Sequence, residues 1–174
     1  PVWQHDLDAE HTRDIPHAEV MGRHYFGYLR TRPDSILAAL DIIAGSPGAV
    51  VINCAAGKDR TGTMTAVLLG ALGVPRRTIV ADYAASSERL RRILARMGQA
   101  ANVGAAQDTV TTQLNEEDLA AIPDQMIANQ ATPPQAMEIL LDLVTDTYGD
   151  IPGYLAAQGW SRADQRRLEV RLLR

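Results

Sequence analysis

The chain has 174 residues, of which 46% are hydrophobic and 22% are charged, and its formal net charge is −4. A chain of this size can bury about 70% of its unfolded surface in one core, which predicts a single domain over 1–174. The acidic balance argues against a nucleic-acid-binding protein. No apolar run reaches the length of a membrane span, so stable membrane insertion is not expected. The single cysteine excludes an internal disulfide framework.

The first third of the chain predicts two helices followed by a strand. Alternating residues at 2–7 weakly favour a strand, and apolar residues at helical spacing predict a helix over 18–29. A second helix is predicted from Pro33 to Gly45. After a turn at 46–48, the apolar run at 49–52 predicts the one clear strand of the chain.

The most informative segment is 53–62, which reads Asn-Cys-Ala-Ala-Gly-Lys-Asp-Arg-Thr-Gly and holds both the only cysteine and the only lysine. The other sixteen of the seventeen basic residues are arginine. A strand that turns through small residues into a helix lets successive backbone N–H groups converge on one oxyanion. The residues predicted to bind phosphate are Ala55, Ala56, Gly57, Lys58, Asp59, Arg60 and Thr61.

Cys54 is the predicted nucleophile of this loop. The converging N–H groups and the positive end of the following helix favour a thiolate over a thiol. Arg60 offers a planar fork that can hold two phosphate oxygens, and Thr61 offers a hydroxyl near the sulfur.

Other interpretations of the loop explain less of it. A lone cysteine after a buried strand is commonly an inert core residue, but that does not account for the surrounding pattern. A nucleotide-binding P-loop requires Ser or Thr after Lys58 and a glycine where Ile52 stands. A cysteine protease or redox site would need a partner histidine or a second cysteine, and no histidine lies in this segment.

Helices are predicted for the rest of the chain. One covers 61–72, and one starts at Pro75 and runs to about Met97. The polar stretch 98–134 contains a short helix capped by Asn115. Further helices are predicted over 134–148 and 161–173, the last with Ser161 and Asp164 as a capping pair.

The string Cys-x-x-Gly-Lys-Asp-Arg-Thr-Gly resembles the signature of the cysteine-dependent protein tyrosine phosphatases. It is most similar to an atypical bacterial branch whose loop is like that of lipid phosphatases. Further strings that resemble this family are Asp82-Tyr83-Ala84, Met137-x-x-x-Leu141, and YGDIPGYLAAQGW from Tyr148 to Trp160.

This resemblance implies an α/β fold in which helices flank a phosphatase-like sheet. Because this chain is mostly helical, we expect a single phosphatase domain that lacks N-terminal strands, with 98–134 as a lid insertion over the active site. The resemblance also favours Asp59, the clearest carboxylic acid of the loop, as general acid. Asp6, Asp8 and Asp14 are upstream alternatives. The other interpretation of Asp59 is a structural one, in which it forms a salt bridge or a hydrogen bond within the loop.

One departure from the family pattern concerns the residue before the nucleophile. The family normally has histidine there, whereas this chain has Asn53. Asparagine can donate and accept hydrogen bonds but cannot carry the same charge.

The predicted activity is hydrolysis of phosphoric monoesters through a cysteinyl-phosphate, without a metal or other cofactor. The predicted partner is a phosphorylated protein, and the predicted specificity is for phosphotyrosine or dual. The positive charge of Lys58 suggests phosphoinositides as further substrates. The alternative is a catalytically weak or inactive phosphate-binding pseudophosphatase, which Asn53 and an incomplete N-terminus would suit. A cytoplasmic and a secreted location both fit the sequence. The sequence does not specify the oligomeric state.

Overall fold

The computed structural model describes residues 15–103 and 115–173, with the backbone alone at 99–103. This part of the chain forms ten α-helices and one 3-10 helix. They are α1 (His17–Thr31), α2 (Pro33–Gly45), α3 (Asp59–Ala71), α4 (Arg76–Ala84), the 3-10 helix (Ala85–Arg89), α5 (Leu90–Val103), α6 (Glu116–Ala120), α7 (Asp124–Asn129), α8 (Pro134–Tyr148), α9 (Ile151–Ala157) and α10 (Arg162–Leu172).

Helix α8 lies at the centre of the core, where α1 packs along it and α4 and α9 pack against it. Its buried side chains recur at helical spacing, so one face of the helix is apolar. They are Ala136, Met137, Leu140, Leu141 and Val144. Helix α10 packs on α2, and α3 packs against α4 and α9.

Helices α1 and α8 approach most closely at Gly22. A Cβ atom added there would lie 2.7 Å from the carbonyl oxygen of Ala136 and 2.7 Å from Cβ of Ile139. Any larger residue would therefore push the helices apart. This contact matters for function because α1 carries one wall of the candidate site.

The helix after the loop begins at Asp59 rather than at Thr61, and it ends at Ala71. Its buried residues include Met64, Ala66 and Val67. The earlier start places Asp59 and Arg60 inside the first helical turn.

The strand predicted over 49–52 is not seen. These residues have no regular secondary structure, and no strand occurs anywhere in 15–103 or 115–173. A strand requires a neighbouring strand for its hydrogen bonds, and the described ranges contain no strand that could pair with this segment. Val51 is 84% exposed. The described residues thus confirm a mostly helical chain and do not show the expected sheet.

The turn at 46–48, which precedes this segment, is held by hydrogen bonds from a side chain rather than by strand pairing. Arg171 of α10 donates hydrogen bonds to the carbonyl oxygens of Ser46 and Gly48, at 2.8 and 2.5 Å. These contacts fix the position of the backbone just before residue 49.

The single helix predicted from Pro75 to about Met97 is wrong in one respect, because it is divided by the 3-10 helix. Ser87 lies in that break, where its hydroxyl is 2.7 Å from the hydroxyl of Thr132 and accepts from the Thr132 N–H at 3.0 Å. A contact with a residue this far along the chain cannot be found from local sequence.

Two predicted capping signals are confirmed. The Asn115 side chain accepts from the N–H of Asp118 in a capping box that opens α6. Ser161 and Asp164 form the same motif at the start of α10. The predicted helix over 134–148 is confirmed as α8.

The segment 98–134 contains the end of α5 and the short helices α6 and α7, while 104–114 lie outside the described residues, as does the strand predicted at 2–7. Arg91 of α5 donates to the carbonyl oxygens of Leu119 and Ile122, at 3.1 and 2.7 Å, and ties this segment to α5. That the segment covers the active site stays a prediction. Among the helices that the structure describes, none is both long and apolar enough to cross a bilayer.

Candidate active site

The loop from Asn53 to Lys58 delivers the chain into the N-terminus of α3. Gly57 has φ +70°, a left-handed conformation that glycine adopts without strain and that turns the loop into the helix. No side chain caps the helix. The first-turn N–H groups have no partners within the helix, so they are available to an anion or a thiolate.

Cys54 lies at the focus of this loop. Burial alone would raise the pKa of the Cys54 thiol, but hydrogen bonds from Thr61, Gly57 and Lys58 outweigh it and the pKa is lowered. The contributions are, in order, the Thr61 hydroxyl and the backbone N–H groups of Thr61, Gly57 and Lys58. The loop therefore stabilises the thiolate, which is the nucleophilic form of cysteine.

The Thr61 hydroxyl has a particular position among these donors. Its oxygen is buried and makes no hydrogen bond of standard geometry, so its effect on the Cys54 sulfur is that of a nearby dipole.

Asn53 contributes no such contact. It is exposed, and none of the side-chain hydrogen bonds formed by the described residues includes it. Within the described structure, the thiolate is stabilised by the loop and the helix terminus rather than by the residue that precedes Cys54.

Arg60 occupies the first turn of α3 and is exposed. Within the described part of the chain its guanidinium forms no ion pair, in contrast to Arg32, Arg91 and Arg167. A guanidinium that is not engaged in an ion pair can bind two oxygens of a phosphoryl group.

Lys58 and Asp59 form a pair rather than two independent groups. Lys58 is only 5% exposed, and its Nζ lies 2.9 Å from each carboxylate oxygen of Asp59. From the sequence, the Lys58 ammonium is expected to face additional phosphates of the substrate. In the structure this ammonium lies against Asp59.

One wall of the site comes from α1, a helix for which the sequence predicted no functional residues. Tyr25 donates a hydrogen bond to Oδ1 of Asp59 at 2.6 Å. Nε2 of His24 is 2.7 Å from the hydroxyl of Tyr28 one turn further along. The only sequence signal for this wall is the spacing of 24, 25 and 28, which puts these polar-tipped rings on one side of a helix.

Tyr28 is in electrostatic contact with the reactive groups of the loop. Burial raises the pKa of its phenol, the charges of Asp59 and Cys54 raise it further, and that of Arg60 lowers it. Burial also lowers the pKa of His24, and Asp59 opposes this effect. Tyr28 and His24 therefore belong to the surroundings of the loop.

Tyr83 of α4 completes the buried polar network. Its hydroxyl is 2.8 Å from that of Tyr25. The ring fits because Gly62 has no side chain, since a Cβ there would lie 2.8 Å from the Tyr83 ring. The Thr61-Gly62 end of the loop motif thus makes room for Tyr83.

Cys54, Arg60 and Asp59, which the sequence predicted as catalytic, all act electrostatically on Tyr28 and so lie on the same side of the molecule as that residue; their catalytic roles stay predictions. The alternative acids Asp6, Asp8 and Asp14 lie outside the described residues. In the described ranges, no group of three or more His, Cys, Asp and Glu side chains is arranged to hold a metal ion.

A cysteine in a loop that leads into an uncapped helix N-terminus, with an arginine in the first turn of that helix, is the arrangement expected of a phosphoryl-transfer site. The whole chain agrees with this class, since residues 2–174 match the family model described as the tyrosine phosphatase family. The chain belongs to the tyrosine phosphatase family.

Two bacterial relatives support this assignment. The chain is 34% identical over 136 residues, 76% of its length, to the triple specificity protein phosphatase PtpB of Mycobacterium tuberculosis strain ATCC 25618 / H37Rv. It is 34% identical over 131 residues, 75% of its length, to a tyrosine-protein phosphatase of Nostoc commune. These matches cover 46% and 41% of the respective relatives, so the chain spans less than half of their length.

Proposed function

We propose that this chain is a phosphoric monoester hydrolase that acts on phosphorylated proteins, with tyrosine or dual specificity, through a cysteinyl-phosphate intermediate. The observation that carries this proposal is the position of Cys54 in a loop that turns at Gly57 into the uncapped N-terminus of α3. The loop N–H groups and the Thr61 hydroxyl lower the pKa of the thiol there. An inert core cysteine has no such surroundings, because apolar burial alone would raise its pKa.

In the first step, the Cys54 thiolate attacks phosphorus and forms an S–P bond while the bond from phosphorus to the leaving oxygen breaks. The N–H groups of the loop and the free Arg60 guanidinium are the donors for the equatorial phosphoryl oxygens, on which charge spreads in the transition state. In the second step, water breaks the S–P bond, which releases phosphate and regenerates the thiolate.

The leaving oxygen needs a proton, and Asp59 is the carboxyl group proposed to supply it. It lies in the first turn of α3, five residues after Cys54 in sequence. A positioned general acid contributes about 10²–10⁴-fold to the rate of such a step. Protonated Asp59 would give its proton to the leaving phenoxide or alkoxide and become a carboxylate, ready to accept a proton from the attacking water.

The substrate class rests on the family and on the printed names of the relatives, one a tyrosine-protein phosphatase and one a triple specificity protein phosphatase. These names support phosphotyrosine first and dual specificity second. The prediction of phosphoinositide hydrolysis requires an outward-facing Lys58, and the pairing of the buried Lys58 ammonium with Asp59 does not favour it.

The contrasting possibility is a pseudophosphatase that binds phosphate esters without turning them over. Hydrolysis of p-nitrophenyl phosphate and of a phosphotyrosine peptide by the 174-residue chain and by Cys54→Ser distinguishes the two. We expect turnover by the wild type, none by Cys54→Ser, and phosphopeptide binding by both, because serine leaves the N–H cradle unchanged. Binding without turnover in the wild type would establish the pseudophosphatase instead.

A further inference from the structure

A hydrogen-bonded chain of two tyrosines leads from the protein interior to Asp59. Tyr83 and Tyr25 are 2% and 1% exposed. Their hydroxyl oxygens are 2.8 Å apart, and the Tyr25 hydroxyl is 2.6 Å from Oδ1 of Asp59. The rings meet edge to face, with centroids 5.9 Å apart, so packing and hydrogen bonding fix both phenols.

The direction of this chain follows from the number of protons. Each phenol has one proton, and Tyr25 donates its proton to Asp59. Tyr83 must then donate to Tyr25. In the reverse direction the Tyr83 proton would need another acceptor, and no described residue provides one. An unsatisfied buried hydroxyl is costly, so the chain runs from Tyr83 through Tyr25 to Asp59.

The two oxygens of Asp59 are consequently unequal. Oδ1 accepts hydrogen bonds from both Tyr25 and Lys58, at 2.6 and 2.9 Å. Among the residues that the structure describes, Lys58 alone approaches Oδ2, at 2.9 Å. A proton added to the carboxyl group meets two donors at Oδ1 and one at Oδ2, so Oδ2 is the oxygen that carries it.

We infer that Tyr25 is a positioning residue for the general acid: its hydrogen bond to Oδ1 fixes the Asp59 carboxyl group so that Oδ2 delivers the proton to the leaving oxygen. This inference rests on the proposed function. In the step concerned, the S–P bond forms and the bond from phosphorus to the leaving oxygen breaks. The proton passes from Oδ2 to that oxygen, and Asp59 is left as a carboxylate.

Two features suit Tyr25 to this role. Burial, followed by the neighbouring Tyr83 and Asp59, raises the pKa of its phenol well above the ordinary value, so Tyr25 remains a donor at every pH at which the protein is folded. Its partner Tyr83 is held in place by Gly62, where no larger residue fits. The orientation of Asp59 is therefore set by side chains that cannot readily move.

The test compares the leaving-group dependence of the wild type, Tyr25→Phe and a matched control. Tyr154→Phe is the control, because the Tyr154 hydroxyl is buried and donates to the carbonyl oxygen of Leu29 in the same helix α1, at 2.9 Å, without touching Asp59. The measured quantity is the ratio of kcat on a phosphotyrosine peptide to kcat on p-nitrophenyl phosphate.

A phenol with a pKa of about 10 needs a proton in order to leave, whereas nitrophenoxide leaves more readily without one. A displaced acid can cost up to about 10²-fold. We expect Tyr25→Phe to lower kcat on the phosphotyrosine peptide by about 10–10²-fold and to shift the ratio by about tenfold. Tyr154→Phe should keep the wild-type ratio.

Several outcomes would overturn the inference. Equal losses on both substrates in Tyr25→Phe would mean that the hydroxyl only supports the fold. An unchanged ratio in Asp59→Asn would remove the general acid itself, while leaving the covalent mechanism in place if Cys54→Ser is inactive. If the wild type turns over neither ester, the proposed function fails and the inference fails with it.

If the Tyr25→Phe protein does not fold, a second variant, Tyr83→Phe, provides the test. Tyr83→Phe removes the donor to Tyr25 but keeps the hydrogen bond between Tyr25 and Asp59. We expect a shift of the ratio in the same direction and of smaller size. In that case, a wild-type ratio in Tyr83→Phe would overturn the inference.

Discussion

The reactivity of Cys54 depends on a few donors, and their contributions can be separated. Thr61→Val keeps the shape of the side chain but removes the hydroxyl that acts on the sulfur. Because this hydroxyl is the largest of the contributions that lower the pKa of the Cys54 thiol, we expect that pKa to rise in the variant. The alkylation rate by iodoacetamide, measured against pH, reports the thiolate fraction and should move to higher pH.

Asn53→Ala is the control for this measurement. Asn53 is exposed and outside the hydrogen-bond network of the loop. The alkylation rate of Asn53→Ala, plotted against pH, should therefore superimpose on that of the wild type. A shift in Asn53→Ala, or none in Thr61→Val, would contradict the account of how the thiolate is stabilised.

Asp59 is the second residue whose role is open to a direct test. We expect Asp59→Asn to slow hydrolysis of a phosphotyrosine peptide by about 10²–10⁴-fold and that of p-nitrophenyl phosphate by less, because only the basic leaving group needs the acid. Steady-state kinetics on both esters measures the difference. Equal losses would mean that Asp59 shapes the loop through Lys58 and Tyr25 and that the acid must be sought among Asp6, Asp8 and Asp14.

Lys58 separates phosphotyrosine from phosphoinositide chemistry. Because its ammonium pairs with Asp59, we expect Lys58→Met to lower kcat/KM for a phosphotyrosine peptide and for a soluble inositol polyphosphate by similar factors. The ratio of the two specificity constants should stay within about tenfold of the wild-type ratio, the value of one 1.4 kcal/mol contact. A selective loss on the inositol phosphate beyond that factor would restore the phosphoinositide hypothesis.

At this scale the sequence predicted the loop but not its surroundings. The residues of the loop could be identified because their chemistry depends on local spacing between Cys54 and Arg60. Tyr25 meets Asp59, and Tyr83 meets Tyr25, only through the packing of α1 and α4 around α3. Nothing in their local sequence distinguishes them from core tyrosines. The burial of Lys58 had the same cause, since a lysine in a loop is ordinarily exposed.

Among the helices, the position of α1 against α8 controls how Tyr25 meets Asp59. Gly22 and Gly27 lie in the same helix, which makes them a matched pair. A Cβ at Gly22 would lie 2.7 Å from α8 atoms, whereas one at Gly27 would meet nothing within 4 Å.

We expect Gly22→Ala to destabilise the protein by about 1–3 kcal/mol through overpacking. Gly27→Ala should stabilise it by about 0.5–1 kcal/mol, since alanine favours a helix interior over glycine. Urea unfolding followed by circular dichroism gives both values. Similar changes in the two variants would show that α1 is free to shift and would contradict the close α1–α8 contact.

The differences between prediction and structure at this scale have one physical origin. The capping signals of α6 and α10 are local, so they could be found from the sequence. The break between α4 and α5 depends on a contact between Ser87 and Thr132, and the strand expected at 49–52 depends on a neighbouring strand that the described residues do not supply. Local sequence cannot reveal either contact.

For the whole molecule, membership of the tyrosine phosphatase family follows from a match over 2–174. The described part is helical, with the nucleophile loop at the start of α3 and α1 beside it. Family membership and the motif were accessible from the sequence because both are contiguous along the chain. The sheet expected for this family would require pairing between separate segments, which the sequence of one segment does not specify.

The central claim is that Cys54 forms a covalent bond to phosphorus during turnover, and a trapped intermediate tests it most directly. The wild type would be mixed with excess p-nitrophenyl phosphate, quenched with acid within milliseconds, digested and analysed by mass spectrometry. We predict a phosphoryl group on the peptide that contains Cys54, at up to one equivalent in the early phase of turnover, and none in Cys54→Ser. Turnover by the wild type accompanied by an unmodified Cys54 peptide, or turnover retained in Cys54→Ser, would contradict the covalent mechanism.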